Sequence, residues 1–340
     1  MTGRFVLPLV FVLAAVHSLP APPIRSVYEV NQMFLAKKPE ADRPKLFGGD
    51  ILLTPEQEER IKFQEQMQQQ PLTRWRAIAK ESMAQRWPQN TVVYKITSAF
   101  NDREKQTIRK ALSDLAAQTC FKFVEYENSG GANDYVNIEK RGGCFSAVGR
   151  VGGSQPMSLD EGCIYDFTVQ HEFMHALGIG HEHQRPDRDS YLRVFMNNVE
   201  SGKEHNFNKY SFNDVDTANI RYDYESVMHY PDYAFGKNGA KTMKPKNGDF
   251  PIKFNTKVTQ TDLQKLAVLG GCPNKAPRGG GGGGASQQNR KQKRGKHPQK
   301  TQKGRGGPAK KKIGGGRKTP GKTMKKRGGT SSRGRRNNRG

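Results

Sequence analysis

The feature that most constrains this chain is the segment HEFMHALGIGH, in which His171, His175 and His181 are separated by four and six residues. On a helix, residues four apart project from the same face, so the first two imidazoles would lie one turn above the other. Gly178 follows three residues later and can end the helix in a left-handed conformation. His181 would then approach the same point from outside the helix. The spacing therefore predicts that the three side chains converge.

Three converging imidazoles are a ligand set typical of a zinc ion that keeps a fourth position open. Because they are neutral, they leave the charge of the ion available to acidify water and polarise a carbonyl group. Glu172 points to the side of the histidine pair, where a carboxylate can take a proton from water and pass it to a leaving amine. The long pattern HExxHxxGxxH is far more specific than HExxH, which also arises by chance in unrelated helices. We expect one zinc ion, with Glu172 as general base and acid.

Positive charge is concentrated at one end of the chain. Residues 273–340 contain 23 Lys and Arg and no Asp or Glu, whereas the net charge of the whole chain is +25. This segment also has no aromatic residue and contains long glycine runs, so we expect disorder. A flexible polycation binds polyanions by releasing their counterions, which favours a sulfated polysaccharide or an acidic matrix as partner. Nucleic acid, which the RGG triplets suggest, and an inert or trimmed tail are the alternatives.

The other end contains an apolar run from Phe5 to Val16 behind one basic residue, Arg4. The run is too short to span a bilayer, which takes about 20 apolar residues. It predicts a signal peptide over residues 1–18, and the alternative is a buried N-terminal helix. We therefore expect a secreted, extracellular protein without a membrane span.

The cysteines are consistent with that compartment. The chain contains four of them: Cys120, Cys144, Cys163 and Cys272. An even number in a secreted protein predicts two disulfides, with three possible pairings. The last cysteine directly precedes the basic segment and marks the end of the folded unit.

The pattern of predicted helices and strands suits one mixed α/β domain. Residues Ile108, Leu112, Leu115 and Ala116 share one face of the longest predicted helix. The predicted helices are Glu56–Gln70 and Asp102–Gln118, and the predicted strands are Thr91–Thr97, Val136–Ile138 and Phe145–Val151.

With these features the chain resembles the astacin family of zinc metalloendopeptidases, within the metzincins. The residues after His181 match the family signature at Glu182, Arg185, Asp187, Arg188, Asp189 and Tyr191. Ser226–Tyr230 (SVMHY) resembles the Met-turn, while Ile179 replaces the usual Phe. The resemblance covers residues 77–272. It implies a two-lobed fold of the α+β class, in which the zinc cleft separates a lobe of sheet and helices from a more irregular C-terminal lobe.

The resemblance also implies roles for individual residues. Met228 would be an apolar floor beneath the zinc. Tyr230 would be a further ligand at rest that swings away to donate a hydrogen bond to the tetrahedral intermediate. The implied disulfides are Cys120–Cys272 and Cys144–Cys163. The segment Cys144–Leu159 is similar to the strand that pairs with an extended protein or peptide substrate.

Upstream, Phe47-Gly48-Gly49-Asp50 resembles a propeptide motif whose aspartate ligates the zinc and keeps the enzyme inactive. The alternative is an ordinary Gly-Gly turn. Residues 19–76 would then be a propeptide, removed by a trypsin-like protease at Arg76–Ala77. The family implies that the new terminal ammonium is buried beside Glu182; otherwise this carboxylate would lie at the surface.

Substrate specificity has a less distinctive signal. Lys253 and Lys257 fall near the position that shapes the S1′ pocket in the family. A lysine there would favour an acidic residue after the scissile bond, unless both lysines are simply solvated. The sequence thus predicts a signal peptide (1–18), a propeptide (19–76), a peptidase domain (77–272) and a basic tail (273–340). One alternative function is a matrix-binding protein that uses the peptidase fold as a scaffold. A second is a nucleic-acid-associated or mineral-associated polycation, in which the tail is the primary functional part.

Overall fold

The structure is a computed structural model that describes residues 24–67, 78–79, 84–211 and 215–272. The predictions for the signal peptide, the Arg76–Ala77 cleavage site and the tail fall outside these residues. The helices are α1 (Val27–Lys37), α2 (Pro55–Met67), α3 (Asp102–Gln118), α4 (Asp166–Leu177) and α5 (Gln260–Gly270). The strands are β1 (Ile51–Leu52), β2 (Ile78–Ala79), β3 (Thr91–Ile96), β4 (Lys122–Glu125), β5 (Tyr135–Glu139), β6 (Cys144–Ala147), β7 (Ser154–Leu159), β8 (Leu192–Val194), β9 (Val215–Asp216) and β10 (Met243–Pro245).

Six strands form the main sheet in the order β1-β6-β7-β5-β3-β4. Strands β7, β5, β3 and β4 run parallel to one another, whereas β6 runs antiparallel to β7. Strand β1, from the predicted propeptide, lies at the edge and pairs with β6 in parallel, with Ile51 opposite Ser146. In β5 the alternate residues Val136 and Ile138 are fully buried, as the period of a strand requires. This sheet forms the first lobe together with α3 and α4.

Helix α3 has the predicted bounds because its ends and its apolar face are both encoded locally. Asn101 and Glu104 form a reciprocal capping box at its start. Ile108 and Leu112 are buried as predicted, but Ala111 takes the buried position that we expected for Ala116.

Strand β6 is shorter than the predicted strand Phe145–Val151, whose C-terminal half is wrong. The chain turns at Gly149, which has a φ of +70°. A Cβ atom at this position would lie 2.3 Å from the Cβ of Ala84. The Gly149 N–H instead donates to the carbonyl of His175 at 2.9 Å. The turn therefore connects the edge of the sheet to the helix that carries the histidines.

The second lobe follows α4 and is built from short strands and turns around its own core. Phe207, Tyr222, Phe235 and Met243 are buried in it. Helix α5 then returns to the first core through Leu266. The prediction of a two-lobed α+β fold is confirmed. No helix in the described ranges is long and apolar enough to cross a membrane.

Two disulfides close the fold, in the pairing that the resemblance implies. Cys120–Cys272 joins the end of α5 to the residues before β4, and Cys144–Cys163 joins the start of β6 to the loop before α4.

Candidate metal centre

Helix α4 carries the first two histidines in the interior of the molecule. Every residue from Phe167 to Leu177 is buried, so α4 is enclosed on all sides. The helix ends at Gly178, which adopts the left-handed conformation with a φ of 113°. Its N–H donates to the carbonyls of Met174 and His175, as a C-terminal cap requires. The chain then reverses and brings His181 to the same point, as the spacing predicts.

The three imidazoles surround the carboxylate of Asp50. Its oxygens lie 3.2 Å from Nε2 of His171, 3.5 Å from Nε2 of His175 and 3.0 Å from Nε2 of His181. The four ligand atoms lie within 4.8 Å of one another, and all four side chains are buried. The structure therefore brings the predicted propeptide residue and the three predicted histidines into one cluster.

The opposite nitrogen of each imidazole has a hydrogen-bond acceptor. Nδ1 of His171 lies 2.9 Å from the carbonyl of Val227, and Nδ1 of His175 lies 2.7 Å from that of Ile179. Nδ1 of His181 lies 3.0 Å from Oε1 of Gln184. With Nδ1 as donor in each ring, the lone pair of Nε2 faces the cluster, which is the tautomer that a metal ligand needs. Sequence reasoning missed Gln184.

Two atoms of the cluster lack a hydrogen-bond partner, and a bound metal ion would give each of them one bond. Nε2 of His175 and Oδ1 of Asp50 are buried without a hydrogen bond to any described residue. Buried polar atoms are normally satisfied, so each such case needs a reason. Three nitrogen donors and one carboxylate oxygen form a ligand set that suits tetrahedral zinc. The residues present fit that ion.

A tight turn delivers Asp50 to this position. The backbones of Phe47 and Ile51 exchange two hydrogen bonds, at 2.9 and 3.0 Å. Between them, Gly49 has a φ of +93°, and a Cβ atom there would lie 2.9 Å from the hydroxyl of Tyr230. Only glycine combines this conformation with so close an approach. Gly49 of the motif is therefore required, because a larger residue would collide with the hydroxyl of Tyr230.

Tyr230 is held by the same turn. Its hydroxyl donates to the carbonyl of Gly48 at 2.5 Å and lies 2.9 Å from Oδ2 of Asp50. Burial and, after it, the charge of Asp50 raise the pKa of Tyr230 well above its usual value. The hydroxyl therefore stays protonated and remains a donor.

Glu172 lies beside the cluster with both carboxylate oxygens buried and without a hydrogen bond to any described residue. Burial and the negative charge of Asp50 raise the pKa of Glu172 well above its usual value. A carboxyl group in this environment can hold a proton.

The Met-turn is hydrogen-bonded to the histidine-bearing segment. Met228 is fully buried, and its carbonyl accepts a hydrogen bond from the N–H of Glu182 at 3.0 Å. The turn is anchored by Asp262 of α5, which accepts from the hydroxyl of Ser226 at 2.5 Å. Neither Asp262 nor its role was evident from the sequence.

The remaining candidate residues have different surroundings. Glu182 is buried rather than at the surface, with its carboxylate bound to Arg185 and Lys265. Lys253 and Lys257 are both exposed. A small cavity beside His171 is lined by Phe254 and other residues, but the structure does not include either lysine in its lining.

The family is decided by comparison with known sequences. A sequence model of the peptidase family described as Astacin matches residues 79–269. This chain belongs to the astacin family. The match spans the main sheet apart from β1, all three histidines, the Met-turn and most of α5.

Similar proteins carry related names. Zinc metalloproteinase nas-12 from Caenorhabditis elegans is 38% identical over 255 residues, which cover 73% of this chain and 64% of that protein. Zinc metalloproteinase nas-4 from the same organism is 40% identical, and the match covers 57% of this chain and 62% of that protein. The chain therefore spans only part of the length of these relatives. Among solved structures, the fold is similar to that of high choriolytic enzyme 1, a hatching enzyme zinc-protease from Oryzias latipes. The two chains are 31% identical in sequence and superpose with a TM-score of 0.51. That match covers 60% of this chain and 100% of the other.

Proposed function

We propose that this chain is the zymogen of a secreted zinc-dependent endopeptidase that hydrolyses extracellular proteins. The observation that carries the proposal is the contact of Asp50 with the histidine cluster and with Tyr230. A propeptide carboxylate at the ligand position keeps water and substrate away from the atoms that catalysis needs. The two disulfides fit secretion.

The chemistry follows from the positions of a few groups. Zinc bound by His171, His175 and His181 would supply a Lewis acid that polarises the scissile carbonyl and acidifies water. The carboxylate of Glu172 takes the proton from the attacking water and passes it to the leaving amine. After Asp50 departs, the hydroxyl of Tyr230 is free to donate a hydrogen bond to the oxygen of the tetrahedral intermediate.

Substrate binding would use the edge of the sheet that the propeptide covers. Strand β1 pairs with β6 through Ile51 and Leu52. Release of β1 exposes the backbone groups of β6, which can then pair with an extended peptide. Neither Lys253 nor Lys257 lines the cavity beside His171, but Lys253 directly precedes Phe254, which does. The positive charge of Lys253 at the rim would attract an acidic residue after the scissile bond, and Lys257 is the second candidate for this role.

Limited trypsin treatment of the purified proform tests the proposal, with casein as the substrate. We expect activity only after cleavage near Arg76–Ala77, loss of that activity with a zinc chelator, and no activity in the Glu172→Ala variant. Glu161→Ala is a matched control, because that exposed carboxylate lies outside the cluster. Cleaved, zinc-loaded protein without activity would contradict the proposal and favour the scaffold function.

A further inference from the structure

Lys265 lies within α5 with only 2% of its surface exposed, which is unusual for a lysine. Its Nζ donates to Oε2 of Glu182 at 2.8 Å and to Oδ1 of Asp262 at 3.1 Å. Burial lowers the pKa of a lysine, but the charges of these two carboxylates outweigh burial and raise the pKa of Lys265. The amine is therefore a buried cation shared by two buried anions.

The first of these anions is connected to one metal ligand. Glu182 directly follows His181, and its N–H donates to the carbonyl of Met228. Its Oε1 accepts from Nη1 of Arg185 and from the N–H of Asp223, both at 2.9 Å. Because Lys265 donates to Oε2, both carboxylate oxygens of Glu182 accept hydrogen bonds from residues that lie after the proposed cleavage site.

The second anion is connected to another ligand. Asp262 accepts from the hydroxyl of Ser226 and from the N–H of Val227, the latter at 3.1 Å. The carbonyl of Val227 is the acceptor for Nδ1 of His171. Lys265 thus joins the segment that bears His181 to the turn that orients His171.

We propose that Lys265 is a positioning residue and the permanent counter-ion of Glu182, which aligns His181 and His171 before and after the propeptide is removed. A new terminal ammonium is then not required to balance Glu182. Mature chains with different first residues should be equally active. The inference rests on the proposed peptidase function and replaces, for this chain, the pairing of Glu182 with the N-terminus that the family resemblance implies.

The first test compares two mature chains that begin at Ala77 and at Trp75, each produced from the full proform by cleavage at an introduced site. We expect kcat and KM to agree within about twofold, because the added residues do not disturb a counter-ion in α5. A kcat about tenfold lower for the chain that begins at Trp75 would overturn the proposal, because that is the effect of losing a group that orients a ligand.

The second test removes the cation with Lys265→Met. Zinc transfer from the mature enzyme to a chelator should be about tenfold faster, and kcat should fall about tenfold with little change in KM. Lys265→Arg should restore part of both, because it restores the charge. The matched control is Lys110→Met, because Lys110 also pairs with two carboxylates, Asp114 and Asp166, but at the surface.

Identical zinc transfer and kcat in Lys265→Met and Lys110→Met would overturn the proposal. If Lys265→Met does not fold, the comparison of the two N-termini decides alone. If the wild-type enzyme has no peptidase activity at all, the proposed function fails, whereas the rate of zinc transfer still tests Lys265.

Discussion

Asp50 is the residue through which the proposed propeptide reaches the metal centre, and its single carboxylate contacts four side chains there. Asp50→Ala removes all of these contacts and leaves the position open to water. We expect the uncleaved proform of this variant to have at least about tenfold more activity than the wild-type proform, which corresponds to about 1.4 kcal/mol of lost propeptide binding. A peptidase assay on proform purified in the presence of trypsin inhibitors measures this.

The control for that variant is Asp42→Ala, because Asp42 belongs to the same propeptide and is exposed. It should leave the proform as inactive as the wild type. Equal activity of the Asp50→Ala and wild-type proforms would mean that the rest of the propeptide is sufficient to block the site.

Tyr230 permits a second prediction, because one hydroxyl group separates it from phenylalanine. In the mature enzyme, Tyr230→Phe should lower kcat about 100-fold and leave KM nearly unchanged, since the lost hydrogen bond forms with the intermediate rather than with the substrate. Steady-state kinetics on one peptide measures both constants. Tyr233→Phe should be neutral, because its hydroxyl donates to Glu29 of the propeptide, at 3.4 Å, and this partner is absent from the mature enzyme. A rise in KM alone would assign Tyr230 to substrate binding.

At this scale, spacing predicted the residues that converge but not those that orient them. The histidines repeat at intervals that a helix and a glycine cap translate directly into geometry. Asp262 contacts Ser226 across 36 residues and Lys265 contacts Glu182 across 83 residues, so no local pattern marks these two pairs. Gln184 lies only three residues after His181, but this spacing was not recognised as one that orients a ligand. A single buried lysine in a helix is not recognisable before the packing is known.

Among the elements, α1 fixes the proposed propeptide to the catalytic lobe through one polar side chain. Asn31 is buried, and its amide donates to the carbonyls of Gly49 and Cys144 at 3.0 and 2.7 Å. Its Oδ1 accepts from the N–H of Cys144 at 2.6 Å. The side chain therefore bridges the turn that carries Asp50 and the start of β6.

Asn31→Ala should weaken propeptide binding, since it removes the side chain that pairs with two buried backbone groups of Cys144 and with the partly buried carbonyl of Gly49. Buried groups left without partners cost about 1–3 kcal/mol, which would raise the inhibition constant of a peptide spanning residues 24–67 by about 5- to 150-fold. Inhibition of the mature enzyme by wild-type and variant peptides measures this. Gln32→Ala, at the adjacent position of α1, is the control. Unchanged inhibition by the Asn31→Ala peptide would contradict the role of this contact.

Local signals explain which elements were predicted. Helix α3 combines a capping box with a clear apolar face, so its bounds were correct. Helix α1 was missed although Ser26 and Glu29 form the same kind of box, which the sequence does display. The strand predicted at Phe145–Val151 extends beyond the end of β6 for a different reason. Its end depends on the contact between Gly149 and Ala84, which are distant in sequence.

For the whole molecule, the sequence indicated two lobes, but mainly through the family resemblance. The second lobe has little regular structure, and its core is assembled from residues spread between Leu192 and Ile252. No periodicity marks such a core, because periodicity arises only within helices and strands. The charge asymmetry, by contrast, is visible from composition alone.

The basic tail permits a prediction about binding to polyanions. A chain that ends at Cys272 should leave a heparin column at much lower salt than the chain that continues to Gly340, because 23 basic residues are removed. The elution salt concentrations of the two mature proteins measure this. Their peptidase activity on a small peptide should be equal, which shows that the shorter chain is folded. Elution of both proteins at the same salt concentration would indicate that the tail does not bind polyanions.

If the basic segment binds a matrix as predicted, the Cys120–Cys272 bond has a mechanical consequence. Cys272 is the last residue before the basic segment. Its disulfide partner, Cys120, lies two residues before the start of β4 at Lys122. If the tail is held and the catalytic lobe is pulled, tension enters at Cys272 and passes through the covalent bond into the main sheet. Helix α5 lies outside this load path, so force on the anchor would not unwind the helix that carries Asp262 and Lys265.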